Sequence, residues 1–395
     1  MPIRATKRGS ARTPLHRDCD VLICGASFAG LAIARELVGS GHRGLKGRGR
    51  ARVLMIDRYE VGERQTSACG IPTDWLVNLG LEEAILQTFS ELVIHSPHAT
   101  ARYALPWTFS TFDYRTCCRL LRDQGDAGFE TAKVEGITRD PAGAHVVHTD
   151  RGDITSPLVV DALGWRRVLG AREPIQPPDA LLSRGLEVHP SGKGEDLEVW
   201  IDRKYCPVGY GWSFPARDEL RIGIGSFDPR FHVKDSTVQL AEDVAASGDE
   251  RHDYQGNWIP HDIRPAAQDE VFFVGDSAGH CIPLSAEGIR TALYFGIACG
   301  RELRAVLDGE RTRDEALRSY ASFSARHAWK FRAMLGLQRL VPRLPPRVLG
   351  PALRAMSSQR FVDWAFVHYL RMAHPDFALE SAPPTVRVAR PAVAA

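Results

Sequence analysis

The stretch Asp20–Gly41, DVLICGASFAGLAIARELVGSG, constrains the fold of this chain more than any other. Val21 to Cys24 is a short apolar run stopped by Gly25, the pattern of a strand buried in a parallel sheet. From Leu31 the spacing turns helical through Ala34, Leu37 and Val38, until Gly39 and Gly41 end it. Between the two lies Gly25-Ala26-Ser27-Phe28-Ala29-Gly30, a variant of the G-x-G-x-x-G turn. In that turn the first glycine makes the bend, the second admits a pyrophosphate close to the backbone, and the third lets helix pack on strand. The phosphates then sit over the unpaired N–H groups at the helix start. Ser27 replaces the middle glycine, so the stretch alone reads either as a dinucleotide site or as an ordinary strand–turn–helix.

Arg52 to Ile56 is a second apolar strand, and it delivers Asp57 and Arg58 to the same sheet edge. A carboxylate at this point holds the ribose of a dinucleotide. The gap from Gly30 to Asp57 is 27 residues, against about 20 in the standard unit. His42 to Ala51, rich in Gly and Arg, accounts for the excess. It reads as a solvated surface loop in preference to an electron-donor contact.

A third strand, Glu270 to Val274, ends on Gly275-Asp276, followed at once by Ser277-Ala278-Gly279. It carries Asp276 to the carboxyl edge of the sheet, where open α/β folds bind ligands and where a carboxylate suits the hydroxyls of a polyol. Pro283 to Ile289 then opens a helix, expected over Ser285–Leu303, whose positive end favours negative charge in front of it.

The rest of the chain is expected to hold an amphipathic helix near Thr73–Phe89, strands within Glu91–Thr111, a helix at Phe112–Gln124 and a strand at Phe129–Gly136. A hairpin-like pair follows at His145–Asp150 and Ile154–Leu163. Alternation resumes from Leu181 to Phe227, and Thr312–Met372 is mostly helical, with proline breaks between Pro342 and Pro351. The first 17 residues and the Pro/Ala-rich tail from Glu380 read as disordered.

The 395 residues suffice for two intertwined domains, and a net charge of +2 makes no case for nucleic acid. The eight cysteines show neither disulfide nor metal spacing, so no metal is expected. The basic N-terminus lacks an apolar secretory core, and no run is long enough to span a bilayer. A cytoplasmic enzyme is expected, with peripheral membrane contact open through the basic amphipathic segment Trp329–Met356. A helical lid over the substrate sheet is the preferred reading of that segment.

Taken together, GASFAGL, IDR and VGDSAGHCIPLSAEGI resemble the FAD-binding fold shared by aromatic hydroxylases, flavin halogenases and geranylgeranyl reductases. The resemblance runs from about Asp20 to Arg301. It implies an α/β fold: a Rossmann-like FAD-binding domain (18–75, 112–170 and 262–310) interrupted by an antiparallel substrate-binding sheet (76–111 and 171–261), with a C-terminal helical region (311–379). It further implies that Gly25, Ser27, Phe28, Ala29, Gly30, Asp57, Arg58, Gly275, Asp276, Pro283, Glu287, Gly288 and Ile289 bind FAD. Val159–Gly164 resembles the family's internal strand–Asp–Gly element.

Tyr210, Trp212 and Phe214 alternate on one strand and so share one face. They form either an aromatic core stripe or a flat wall for a substrate. The string resembles the Y-x-W-x-F-P signature of geranylgeranyl reductases more than the halogenases' W-x-W-x-I-P, and Gly256–Pro260 resembles the reductases' G-x-x-I-P. Cys69 stands where those reductases often carry a cysteine near the flavin, which implies a catalytic thiol; a small buried side chain is the alternative. Glu63 and Arg64 lie in the same loop, and Tyr114 replaces an arginine found in many relatives. The implied activity is reduction of a double bond in a hydrophobic, isoprenoid-like substrate by hydride transfer from flavin N5. Electrons would come from transient NAD(P)H or a redox protein, because no second glycine-rich unit is visible. A flavin-dependent monooxygenase, halogenase or cyclase is the competing reading.

Overall fold

The computed structural model describes residues 14, 15, 17–39, 50–170, 182–245 and 254–380. Most of the expected tails and of the His42–Ala51 loop lie outside the described residues, but the end of the expected disordered N-terminus is corrected: Leu15 is buried in the core and Arg17 begins a strand paired with Ile154. At the centre is a six-stranded sheet. Its order is Ala267–Gln268, Val271–Phe273, Leu158–Asp161, Val21–Cys24, Val53–Asp57 and Gly128–Thr131. All its pairings are parallel except that of the short edge strand Ala267–Gln268. The inner strands are buried on both faces, as their unbroken apolar runs require.

The helix Phe28–Glu36 packs against Ile289–Leu307, and both share one core with the sheet. A small sheet of Arg17–Asp18, Gly152–Ser156, His145–Thr149 and Val134–Arg139 adds Val147 and Ile154 to that core.

The second large sheet has eight strands, in the order Gln255–Pro260, Leu182–Val188, Glu219–Ser226, Gly209–Ala216, Leu197–Trp200, Ile85–Ser96, Ala99–Phe112 and Gly70–Pro72. It is antiparallel except where Leu197–Trp200 runs parallel to Ile85–Ser96. The helix Lys234–Ala245, which the sequence pattern did not disclose, covers Ile222, Ile224 and Val188. Pro346–Met356 and Gln359–Leu370 cover Ala101 and Tyr103, with the Tyr103 hydroxyl donating to the Leu353 carbonyl at 2.7 Å. The α/β class and the interrupting sheet are as expected.

Four local expectations are corrected. The helix at Thr73 stops at Asn78, because Gly80 adopts φ +68°; a 3₁₀ turn at Glu82–Ala84 follows and Ile85 begins a strand. The residues expected as a strand at Phe129–Gly136 divide between two sheets, as Gly128–Thr131 and Val134–Arg139. Of the expected Ile154–Leu163 partner only the Gly152–Ser156 strand pairs with His145–Thr149, whose other edge pairs with Val134–Arg139, and Pro157, which lacks an N–H, separates that hairpin from Leu158–Asp161. The late helix begins at Ile289 rather than Ser285, because Ala286 sits at φ +53°, outside helical geometry.

Candidate cofactor and substrate site

The opening turn is built by close packing. Gly25 has φ +115°, and a Cβ there would lie 2.2 Å from the carbonyl oxygen of Ala162. A Cβ at Gly30 would lie 1.9 Å from the carbonyl oxygen of Gly25. Neither glycine lines the cavity in front of the sheet; they hold the helix start against it. Ser27, Phe28 and Ala29 do line it. The Ser27 side chain caps nothing, so the first helical N–H groups have no side-chain acceptor there. Its Oγ lies 3.4 Å from the hydroxyl of Tyr114, whose ring meets Phe28 edge-on.

Asp57 braces the turn from the next strand. Its Oδ2 accepts from the Ala26 N–H at 2.8 Å and its Oδ1 from the Tyr59 N–H at 3.0 Å. Burial raises its pKa, and these two hydrogen bonds oppose the rise. A carboxylate has about four acceptor positions, so capacity remains for ribose hydroxyls. Arg58 lines the cavity beside it, with its guanidinium over the Tyr59 ring.

Asp276 projects from the end of the third strand, after Gly275 at φ +64°. Among the described residues nothing donates a hydrogen bond to its carboxylate. Burial pushes its pKa up to about 6, with the Arg264 charge pulling the other way. An enclosed acceptor without a donor, at a sheet edge, fits a polyol arm. Asp161, by contrast, is consumed by the fold: it accepts from Ser277 Oγ at 2.6 Å and from the Leu169 and Leu163 N–H groups.

The segment Pro283–Gly288 forms the far wall. Pro283 is buried beneath it, whereas Glu287, Gly288 and Ile289 line the cavity. Tyr210 donates to the Ser285 carbonyl at 2.6 Å. The Ser285 hydroxyl meets that of Tyr369 at 2.5 Å, and Tyr369 donates to Glu287. Arg290, fully buried, pairs with Glu287 at 2.6 Å and donates to the carbonyl of Leu370 at 3.1 Å. Sequence reasoning missed Tyr369 and Arg290. Only a lone arginine near the start of a helix whose first three turns carry no other charge hinted at the second.

Tyr210, Trp212 and Phe214 all face the cavity, which settles their shared face as a wall of it. Tyr210 and Trp212 lie 6.0 Å apart, and Phe214 meets Phe109 at 6.1 Å. Gly223 and Gly225, across the strand pair, leave room for these rings: a Cβ at Gly223 would strike Trp212.

Cys69 is not brought to this wall. Its neighbours Ala68 and Gly70 line the cavity, but the thiol is fully buried in the core, with φ +51° at its backbone. Desolvation raises its pKa well above the usual thiol range, the opposite of thiolate activation. Glu63 and Arg64 also stay outside; they bond to Glu60 and Tyr59 in their own loop.

The cavity measures about 890 Å³, within the size range of clefts that enclose cofactors and small ligands. One end holds the helix N-terminus and the two aspartates, which fit the pyrophosphate and polyol hydroxyls of FAD. The other end is apolar and reaches Leu344, Leu353 and Phe366 in the C-terminal helices.

No family model matches the chain. It is similar to digeranylgeranylglycerophospholipid reductase 3 of Methanosphaera stadtmanae, at 26% identity over 351 residues, covering 80% of this chain and 84% of that one. Among solved structures it is similar to a geranylgeranyl bacteriochlorophyll reductase-like protein from Thermoplasma acidophilum. That match has TM-score 0.74 and 16% identity, with 93% and 99% of the two chains covered. A probable FAD-dependent monooxygenase from Pseudomonas aeruginosa matches with TM-score 0.62 and 18% identity over 86% and 99%. The two structures speak to the fold, and the sequence relative speaks to the branch. The chain is similar in sequence, over most of its length, to a digeranylgeranylglycerophospholipid reductase, and it shares its fold with a geranylgeranyl reductase-like protein and an FAD-dependent monooxygenase.

Proposed function

We propose that this protein reduces a carbon–carbon double bond of a hydrophobic, isoprenoid-like molecule. One observation carries the reading: the residues that fit FAD and a long apolar wall belong to one continuous cavity. The reductase named for the Methanosphaera relative supports it. Bound FAD would supply hydride chemistry, and the protein would supply orientation and electrostatics.

Asp57 and the helix start at Ser27 would hold the adenosine end, and Asp276 the middle of the cofactor. Tyr210 ties the substrate sheet to the 283–288 segment, so cofactor wall and substrate wall are fixed to each other. Trp107, Phe109 and Phe214 exclude water along the substrate path. The reductant is a transient NAD(P)H or a redox protein.

The substrate is proposed to enter from an anionic membrane surface. Of the large hydrophobic side chains left exposed among the described residues, Trp329, Leu337, Leu340, Val348, Phe361 and Trp364 all lie on the C-terminal helices. From Arg326 to Arg371 the chain carries nine Arg or Lys and one acidic residue, Asp363. Apolar tips among basic flanks suit a bilayer interface. Leu337 is exposed and also lines the cavity, so this surface and the substrate path meet. No described helix is long and apolar enough to cross a membrane.

The test is anaerobic turnover of the reduced protein with prenyl, quinone and aromatic substrates, following flavin reoxidation. Reduction of a prenyl double bond without oxygen supports the reading. Hydroxylated or halogenated product, formed only in air, overturns it in favour of an oxygen-using enzyme.

A further inference from the structure

The substrate sheet carries a row of polar groups that the functions above leave unused. Strand pairing sets Gln255 beside Glu187, Glu187 beside Gly223 and Gly223 beside Trp212. Glu187, Gln255 and Trp212 all line the cavity. Each has a buried polar atom without a hydrogen-bond partner: Glu187 Oε2, Gln255 Oε1 and Trp212 Nε1. Glu187 is only 2% exposed, and its other oxygen, Oε1, lies 3.0 Å from His189 Nε2.

Gly223 explains how the row is arranged. A Cβ there would lie 2.6 Å from Trp212 Cε2, the ring carbon bonded to Nε1, and 2.3 Å from Cζ2. The indole therefore lies over the glycine, and its Nε1 is bonded to one of the two ring carbons nearest to it. Adjacent strands are about 4.8 Å apart, so Glu187 and Trp212 stand about 10 Å apart at the backbone, on one face of the sheet with the glycine between them. One donor, Trp212 Nε1, and two acceptors, Glu187 Oε2 and Gln255 Oε1, stand in this row with none bonded to another. Such groups are costly unless a partner joins them.

We propose that this row is the subsite for a hydroxyl group on the otherwise apolar substrate. The hydroxyl donates to Glu187 Oε2, accepts from Trp212 Nε1 and is flanked by Gln255. A hydroxyl supplies both a donor and an acceptor, as the row demands. A phosphate dianion supplies acceptors alone and cannot donate to Glu187 Oε2, so a phosphorylated end does not suit this row. The inference rests on the isoprenoid reading only for the length of the apolar chain.

The test is equilibrium binding to the oxidised, FAD-loaded protein, read from the flavin absorbance without turnover. The probes are three matched pairs: geranylgeraniol and its methyl ether, 1-hexadecanol and its methyl ether, and 2-naphthol and 2-methoxynaphthalene. In at least one pair the alcohol should bind about tenfold or more tightly than its ether, as loss of a hydrogen bond to a charged group implies. Glu187→Leu and Trp212→Phe should each narrow that ratio to about twofold; two variants guard against one failing to fold. Equal binding of every alcohol and ether, a ratio unchanged in both variants, or no binding by any pair overturns the proposal. If the prenyl pair alone fails to bind while another pair shows the preference, the subsite stands and the isoprenoid reading falls.

Discussion

The phenol of Tyr210 donates a 2.6 Å hydrogen bond to the backbone carbonyl of Ser285, joining the eight-stranded sheet to the wall of the cofactor site. The accepting carbonyl sits in a segment that also holds Ala286 in left-handed conformation. Tyr210→Phe keeps the ring and removes the bond. It should lower stability by about 1 kcal/mol, leave FAD occupancy within about twofold, and raise substrate KM more than it lowers kcat. Thermal unfolding, flavin absorbance and steady-state kinetics check the three parts. A fall in FAD occupancy as large as the kinetic loss would show that the bond serves the cofactor instead.

On the proposed role of Asp276, FAD affinity should depend on pH. Without cofactor its carboxyl titrates near 6, above the ordinary carboxylate value, because burial disfavours the charge. Polyol hydroxyls donate best to the ionised form, so affinity should be full above about pH 7 and weaken as pH falls through 6. Stability of the cofactor-free protein follows the opposite sign. The folded state binds this proton more readily than the unfolded chain, so this group favours folding as pH falls from 6 toward 4. Asp276→Asn should flatten both profiles. Equilibrium dialysis of FAD at pH 5 to 8 and parallel denaturant titrations measure them.

Asp57 braces the opening turn through the Ala26 N–H and has acceptor capacity left for a ribose. Asp57→Ala should weaken FAD by about tenfold or more, equivalent to about 1.4 kcal/mol or more for lost charge-assisted hydrogen bonds. Gly30→Ala should fare worse, failing to yield folded protein, because the added methyl would overlap the Gly25 carbonyl. Flavin content of the purified variants separates a weakened site from a lost fold.

All eight cysteines are buried and unpaired. A thiol reagent should therefore find none in the native protein and eight after unfolding. Cys69→Ser should keep kcat within about threefold while lowering stability, since a hydroxyl replaces a thiol in an apolar pocket. A loss of turnover beyond a hundredfold with FAD still bound would return Cys69 to the reaction.

The exposed tryptophans offer a direct test of the membrane surface. The protein should float with vesicles containing phosphatidylglycerol and not with phosphatidylcholine alone, and about 0.5 M salt should weaken the association. Trp329→Ala with Trp364→Ala should reduce flotation several-fold without altering FAD content. Binding unaffected by lipid charge or by these substitutions would leave the helices as a lid only.

The amino-acid sequence alone determined the cofactor half of this protein. Strand, turn and helix at Asp20–Gly41, the carboxylate at Asp57 and the Gly275-Asp276 turn are encoded by near neighbours: apolar periodicity and glycines where φ is positive. Those same rules fixed Tyr210, Trp212 and Phe214 on one face. Local pattern misled where pairing partners lay elsewhere, as when Pro157 sent Leu158–Asp161 into the central sheet and away from its expected hairpin. Only the tertiary structure decided which groups face the cavity. Cys69 lies between two cavity residues yet points into the core. Tyr369 reaches Glu287 across 82 residues, and Glu187 faces Trp212 only because Gly223 lies between them in register. Periodicity says that a strand has two faces; the long-range packing that chooses between them is not written in any one segment.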